Sequence, residues 1–170
     1  MDNTVQSFIT SPNFKRVRSW GIKRGIIIPN NQESQAIKLI EEFGELCGGV
    51  LKRKIDIIED SVGDMVVVLI GLNKIIGFDL EAGLNINDFY TTKDKTSKEL
   101  LIEIHGDINT MLESIEKHLV IINYSENIII KLFKICIIEN TEIKYCFDKA
   151  WNEIKDRKGK NIDGNFIKEE

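Results

Sequence analysis

Residues 36–51 read AIKLIEEFGELCGGVL and predict an amphipathic helix. Their apolar positions recur with the helical period and form one buried face. These positions are Ala36, Leu39, Ile40, Phe43, Leu46, Cys47 and Val50. The three basic residues at 52–54 follow, where the dipole at the end of a helix favours cations.

Residues 60–76 read DSVGDMVVVLIGLNKII and are apolar on nearly all sides. The run of valines is compatible with a buried strand. The length of the segment, and the lack of a second strand-like run nearby to pair with it, favour a helix. Gly77 then follows as a C-cap. Two such helices in succession predict a helical hairpin.

Further helices are predicted over about 97–112, 127–138 and 142–156, with a short one around 14–20. Thr96 and Glu99 have the spacing of a capping box and mark the start of the first of these. The polar residues 85–97 are expected to form a linker. Residues 160–170 are expected to be irregular.

The two halves of the chain resemble each other. Leu-Ile-Glu at 39–41 recurs at 101–103, and the apolar run at 65–67 aligns with 128–130. Chance similarity between amphipathic helices is the alternative, but the order of the elements also repeats. We therefore predict a single all-α domain over 1–170, like a four-helix bundle. A hairpin at 33–84 would be followed by a diverged copy at 97–156 and a tail at 157–170.

The composition excludes several classes of protein. The chain has 170 residues, of which 42% are hydrophobic and 29% charged, too apolar for a disordered chain. A net charge of −4 gives no general attraction to nucleic acid or anionic membranes, so a polyanion would need a local cluster or metal ions. The longest uncharged apolar run, 65–72, is too short to span a bilayer.

Cysteine usage points to a reducing compartment. Cys47, Cys136 and Cys146 are widely spaced, with no Cys-x-x-Cys pair and no His-rich partner, which argues against a zinc site. We expect buried free thiols. Residues 1–4 lack the features of a signal peptide. The sequence therefore predicts a cytoplasmic protein with neither a nucleic-acid nor a membrane partner.

Carboxylates are the chemically informative side chains. Glu42 and Glu45 lie on one side of the first helix, and Asp60 and Asp64 on one side of the second. Asp64 adjoins an apolar run, where an uncompensated carboxylate is costly or becomes protonated. A cation removes this difficulty, and oxygen ligands without Cys or His select Mg²⁺ or Mn²⁺. The alternative is an ordinary solvated helix face.

The segments KLIEEFGEL at 38–46 and GDMVVVL at 63–69 resemble the MazG-like all-α nucleoside triphosphate pyrophosphohydrolases. The family motif is Glu-Glu-x-x-Glu, a loop, then Glu-x-x-Asp. Residues 149–160, KAWNEIKDRKGK, resemble the end of phage-type members. The chain departs from the motif at Ser61, where the family has Glu. Asp60 is the natural substitute, with Glu59 a less favoured one.

The resemblance implies Mg²⁺-dependent cleavage of a nucleoside triphosphate to the monophosphate and pyrophosphate. The metal ligands would be Glu42, Glu45, Asp60 and Asp64, and Glu41 or Glu45 would act on the attacking water. The four positions of the second half that align with these metal ligands carry less negative charge, because only one of them is acidic. They are Ile104, Asp107, Asn123 and Asn127.

The substrate-binding side chains that the resemblance implies are Lys38, Asn152, Lys155, Arg157 and Lys158. The alternative interpretation of the basic residues at 155–158 is a turn whose positive charge interacts favourably with the negative, C-terminal end of the helix dipole. Trp20 and Trp151 either stack on a base or pack against the core. Single-hairpin members build their bundle from two chains, so a homo-oligomer is possible. The alternatives are a dUTPase-like preference and a non-enzymatic helical interaction module.

Overall fold

The computed structural model describes residues 3–90, 95–117, 121–162 and 165–168. Within these ranges the chain is predominantly helical, which confirms the predicted all-α class. The helices are α1 (Asn3–Ile9), α2 (Asn13–Lys23), α3 (Gln32–Lys52), α4 (Ile55–Ile75), α5 (Ser97–Glu116), α6 (Ile122–Ile138) and α7 (Ile143–Ile154). The described part of the chain also contains two short 3-10 helices and two short strands. They are Leu80–Ala82, Ile86–Tyr90, β1 (Gly159–Ile162) and β2 (Asn165–Lys168).

Local signals placed the start of α5 and the end of α4 correctly, whereas α4 and α6 each begin five residues before the predicted start. Thr96 caps α5 as predicted: its hydroxyl oxygen accepts from the backbone N–H of Glu99, and the Glu99 carboxylate accepts from the backbone N–H of Thr96. Gly77 follows α4 with a φ of 92°, a left-handed conformation that suits glycine. Its N–H donates to the carbonyl of Lys74 and ends the helix.

The prediction that the tail is irregular was wrong. The tail pairs as an antiparallel hairpin, with Gly159 opposite Lys168 and Ile162 opposite Asn165. The linker at 85–97 contains the 3-10 helix Ile86–Tyr90, because Phe89 is buried and packs edge-on against Phe133 at 5.2 Å. Residues 91–94 of that linker, and 163–164 and 169–170 of the tail, lie outside the described ranges.

Helix α4 occupies the centre of the domain and packs against α2, α3, α6 and α7. Most of its residues from Ser61 to Asn73 are buried, which explains why this part of the sequence lacks a polar face. Gly63 allows α7 to approach closely, since a Cβ there would lie 2.3 Å from the carbonyl oxygen of Cys146. None of the helices in the described part of the chain has the length and apolarity needed to cross a membrane.

Helices α3 and α4 form an antiparallel hairpin joined at Arg53 and Lys54. Helices α5 and α6 also pack together, with α3 against α5 and α4 against α6. The two predicted hairpins therefore lie side by side, and Ile104, aligned with Glu42, is fully buried. The internal duplication itself stays a prediction. All three cysteines are free; Cys136 and Cys146 are buried, while Cys47 is half-buried.

Candidate active site

A cavity of about 360 Å³ lies between α2, α3, α4 and the end of α7. One part of its wall is apolar and the other is charged or polar. The apolar wall contains Val17, Trp20, Ile26, Ile27, Val67, Val68 and Ile154. The polar wall contains Gln35, Lys38, Glu41, Glu42, Asp64 and Arg157.

The loop between α2 and α3 closes one side of this cavity. The Asn31 side-chain amide donates to the carbonyl of Ile26 at 2.7 Å, which folds the loop back on itself. Gly21 makes room for the loop, because a Cβ there would lie 2.7 Å from Cδ1 of Ile27. Ile26 and Ile27 are thereby held against the cavity.

Glu42 and Asp64 face this cavity from neighbouring helices. Because α3 and α4 run antiparallel, two residues at similar distances from the Arg53–Lys54 turn come level with each other. Glu42 and Asp64 meet this condition. Glu42 is only 3% exposed. The structure therefore brings together two of the four predicted metal ligands, one from each helix.

The negative charge of Glu42 disfavours the ionised form of Asp64. Burial first, and then the charge of Glu42, raise the pKa of Asp64 from 3.8 to about 7, while Arg157 and Lys38 act in the opposite direction. Burial also raises the pKa of Glu42, and the hydrogen bond from Lys38 offsets part of this effect. Near neutral pH the cavity therefore holds Asp64 close to the midpoint of its titration.

Lys38 lines the cavity, where the resemblance implied a substrate-binding residue. Its Nζ lies 2.6 Å from Oε1 of Glu42 and 2.9 Å from Oε2 of Glu41. Burial lowers the pKa of Lys38, but its hydrogen bonds to Glu42 and Glu41 outweigh burial and raise it overall. Lys38 is thus a fixed cation beside the two acids of α3.

Glu45 and Asp60 are not among the residues that line the cavity. Glu45 is exposed. Asp60 forms an ion pair with Lys149 of α7, whose Nζ lies 2.6 Å from Oδ1 of Asp60 and 3.7 Å from Oε2 of Glu59. Ser61 is fully buried. Within the described ranges, no group of three or more His, Cys, Asp or Glu side chains is arranged to hold a metal ion.

Only Arg157 of the predicted C-terminal binding residues reaches the cavity. Its Nη2 lies 3.5 Å from Oε2 of Glu153. Asn152 and Lys155 line a depression outside the cavity, where the Lys155 ammonium donates to Oδ1 of Asn152 at 2.9 Å. Lys158 is exposed and lines none of these surfaces.

Sequence reasoning missed Gln35 and the loop residues of the cavity. Gln35 is 8% exposed and precedes Lys38 and Glu42 on the same face of α3. Its spacing from these two residues is a signal that could have found it. Ile26 and Ile27 carry no such signal, because their place depends on how the α2–α3 loop folds back.

Two of the carboxylates that line the cavity, Glu42 and Asp64, are the oxygen donors from which a divalent cation site would have to be built. Mg²⁺ is commonly bound through one or two carboxylates and completed by water and substrate phosphates. Glu42 is buried and Asp64 is partly buried, and a cation would lower the raised pKa values of both carboxylates. Glu42 and Asp64 would hold Mg²⁺ or Mn²⁺ in this arrangement, without Glu45 or Asp60.

Comparison with known proteins adds one similarity. No protein-family model matches the chain, and no solved structure matches it. A matching relative is the "Uncharacterized 18.2 kDa protein in rep-hol intergenic region" of Haemophilus phage HP1 (strain HP1c1), 47% identical over 60 residues. The match covers 35% of this chain and 37% of that protein. The chain is thus similar to little more than a third of a phage protein.

The variant Asp64→Asn is expected to be more stable than the wild type in metal-free buffer at pH 8. Native Asp64 keeps its proton to about pH 7, whereas the unfolded chain loses it near 3.8. Its ionisation therefore lowers the free energy of unfolding as pH rises through this window. We expect a gain of about 2–4 kcal/mol at pH 8 that disappears near pH 4, measured by urea denaturation.

The matched control for this measurement is Asp156→Asn, the same change at an exposed position. It is expected to change the free energy of unfolding little at either pH. If Asp64→Asn gave no gain at pH 8, or an equal gain at both pH values, the crowding of charge at Asp64 would be rejected.

Proposed function

We propose that the protein is a Mg²⁺-dependent nucleoside triphosphate pyrophosphohydrolase, which cleaves between the α and β phosphates. The observation that best supports this is the pairing of Glu42 with Asp64 in one cavity, beside the cations Lys38 and Arg157. The two acids come from the helices that carry the MazG-like motif. An ordinary solvated helix face would leave them separate and exposed.

The two kinds of wall in the cavity match the two parts of a nucleotide. Its volume of about 360 Å³ lies in the range of small-molecule sites. The side formed by Val17, Trp20 and Ile27 suits an apolar nucleobase. Gln35 offers an amide for polar atoms of the base, and Gly71 leaves space beside it, since its Cβ position lies 3.6 Å from Oε1 of Gln35.

The side chains of the cavity would have three roles in this reaction: phosphate binding, metal binding and activation of water. Lys38 and Arg157 would bind phosphate oxygens, for which the planar guanidinium offers two donors. Mg²⁺ bound by Glu42 and Asp64 would supply charge neutralisation at the phosphates. Glu41 lines the cavity and Glu45 does not, so Glu41 is the better placed of the two to orient or deprotonate water.

An assay of the purified chain with Mg²⁺ and a panel of ribo- and deoxyribonucleoside triphosphates tests the proposal. We expect pyrophosphate and the monophosphate to appear together, at equal rates, from at least one substrate. Marked preference for dUTP would identify a dUTPase-like member. Release of inorganic phosphate with the diphosphate would overturn the proposed reaction. No turnover by a protein shown to be folded would instead favour a helical interaction module.

A further inference from the structure

A second surface has the opposite electrostatic character from the cavity. A groove of about 620 Å³, here called the α2–α7 groove, lies between α2 and the end of α7. Its described lining contains no carboxylate, although the whole chain carries a net charge of −4. Its cations are Lys15, Arg16, Lys23, Arg24 and Lys155.

The sequence of α2 gathers these cations on one side. Val17 and Gly21 are buried against the domain, so Lys15, Arg16 and Lys23 are left exposed on the outer face. From Lys15 to Lys23 this face is about 12 Å long, at about 1.5 Å per residue. It is therefore longer than a single phosphate group.

The excess of positive charge is confined to the α2–α7 groove. A neighbouring depression of about 490 Å³ shares Pro12, Arg16, Trp151 and Lys155 with it. The depression also contains Lys144 and Asp148, which form an ion pair with each other, so it adds no net positive charge. The cations along α2 therefore define the surface, and their length suits a ligand with several phosphates in a row rather than one anion.

Both tryptophans of the chain line the α2–α7 groove. Trp20 and Trp151 are half-buried, with part of each side chain accessible. A positive groove combined with aromatic side chains is how proteins bind single-stranded nucleic acid, because phosphates meet the cations and bases stack on the rings. A flat anionic membrane would not use a concave surface in this way.

We propose that the α2–α7 groove binds single-stranded nucleic acid, with its backbone along Lys15, Arg16 and Lys23 and its bases against Trp20 and Trp151. This differs from the expectation based on net charge, because net charge averages over the whole surface and hides a local cluster. The inference uses neither Glu42 nor Asp64, although Trp20 borders both the groove and the cavity. The cations Lys15, Arg16 and Lys23 line the groove and do not line the cavity, so they separate the two proposals.

The test is the binding of a fluorescently labelled oligothymidylate at low salt, followed by anisotropy. We expect binding with quenching of the intrinsic tryptophan fluorescence, since both tryptophans line the groove. Because Trp20 also lines the cavity, the quenching should weaken together with binding in the variant below. The double variant Lys15→Glu/Lys23→Glu should weaken binding at least about tenfold. It should also reduce the slope of log K against log salt concentration by about 1.4, or about 0.7 for each phosphate that is no longer neutralised.

The matched control is Lys52→Glu/Lys54→Glu, which makes the same change in net charge at exposed positions in the α3–α4 turn. It should leave most of the binding intact, with circular dichroism showing that both variants fold. Pyrophosphate release should be unchanged in Lys15→Glu/Lys23→Glu, which separates this proposal from the catalytic one.

Four results would overturn the proposal. One is no binding at low salt, and another is equal weakening in the two double variants. A third is equal affinity for a duplex of the same length, which would indicate attraction to charge without recognition of single strands. The last is binding to vesicles rich in anionic lipid with none to the oligonucleotide, which would assign the surface to membranes.

Discussion

The variant Glu42→Gln is expected to release pyrophosphate at least about a hundredfold more slowly than the wild type, while folding normally. Glutamine keeps the size of the side chain at a position that is only 3% exposed. It removes the negative charge that faces Asp64 and that pairs with Lys38 at 2.6 Å. Of the pair Glu42 and Asp64, only Asp64 would then remain as a carboxylate for a divalent cation. Initial rates with the best substrate of the panel measure the effect.

The control for Glu42→Gln is Glu33→Gln, an exposed change in the first turn of the same helix, which should retain wild-type activity. Urea denaturation of both variants excludes misfolding as the cause of a slower reaction. Full activity in Glu42→Gln would reject Glu42 as a ligand. A parallel measurement on Glu45→Gln distinguishes two sets of ligands: loss of activity there would mean that Glu45 joins the site when the cation binds.

The helical elements could be predicted because their signals are local. The apolar spacing of α3 and the capping box at Thr96 depend on residues a few positions apart. The C-terminal hairpin was missed because its strands have four residues each and little apolar pattern. Helix α1 was missed for another reason: Phe8 packs against Phe14 of the next helix and against Phe147, which lies far away in the sequence.

The candidate site shows the same division between local and distant information. The approach of Glu42 to Asp64 follows from two antiparallel helices and a short turn, so the sequence could predict it. The separation of Asp60 from this pair could not be predicted, because its partner Lys149 lies on α7. The spacing of residues along a single helix does not determine where α7 packs on α4. That docking depends on Gly63, where the two backbones come close.

The variant Ile104→Glu is expected to lower the free energy of unfolding by about 3–5 kcal/mol. Ile104 is fully buried in α5, at the position aligned with Glu42 in the first hairpin. Glutamate there would replace apolar packing with a carboxylate that must either ionise inside the core or take up a proton. The midpoint of urea denaturation measures the destabilisation, which should be larger at pH 8 than at pH 5.

The comparison variant is Ile102→Glu, the same substitution two residues away, where the isoleucine is 73% exposed. It should change the free energy of unfolding by less than about 1 kcal/mol, since surface changes are usually small. An unchanged midpoint in Ile104→Glu would contradict the burial of this position. Restoration of its stability by Mg²⁺ would show that the second hairpin can still form a cation site. Destabilisation that Mg²⁺ does not reverse would show that the second hairpin, unlike the proposed site of the first, cannot accommodate a carboxylate with a bound cation at this position.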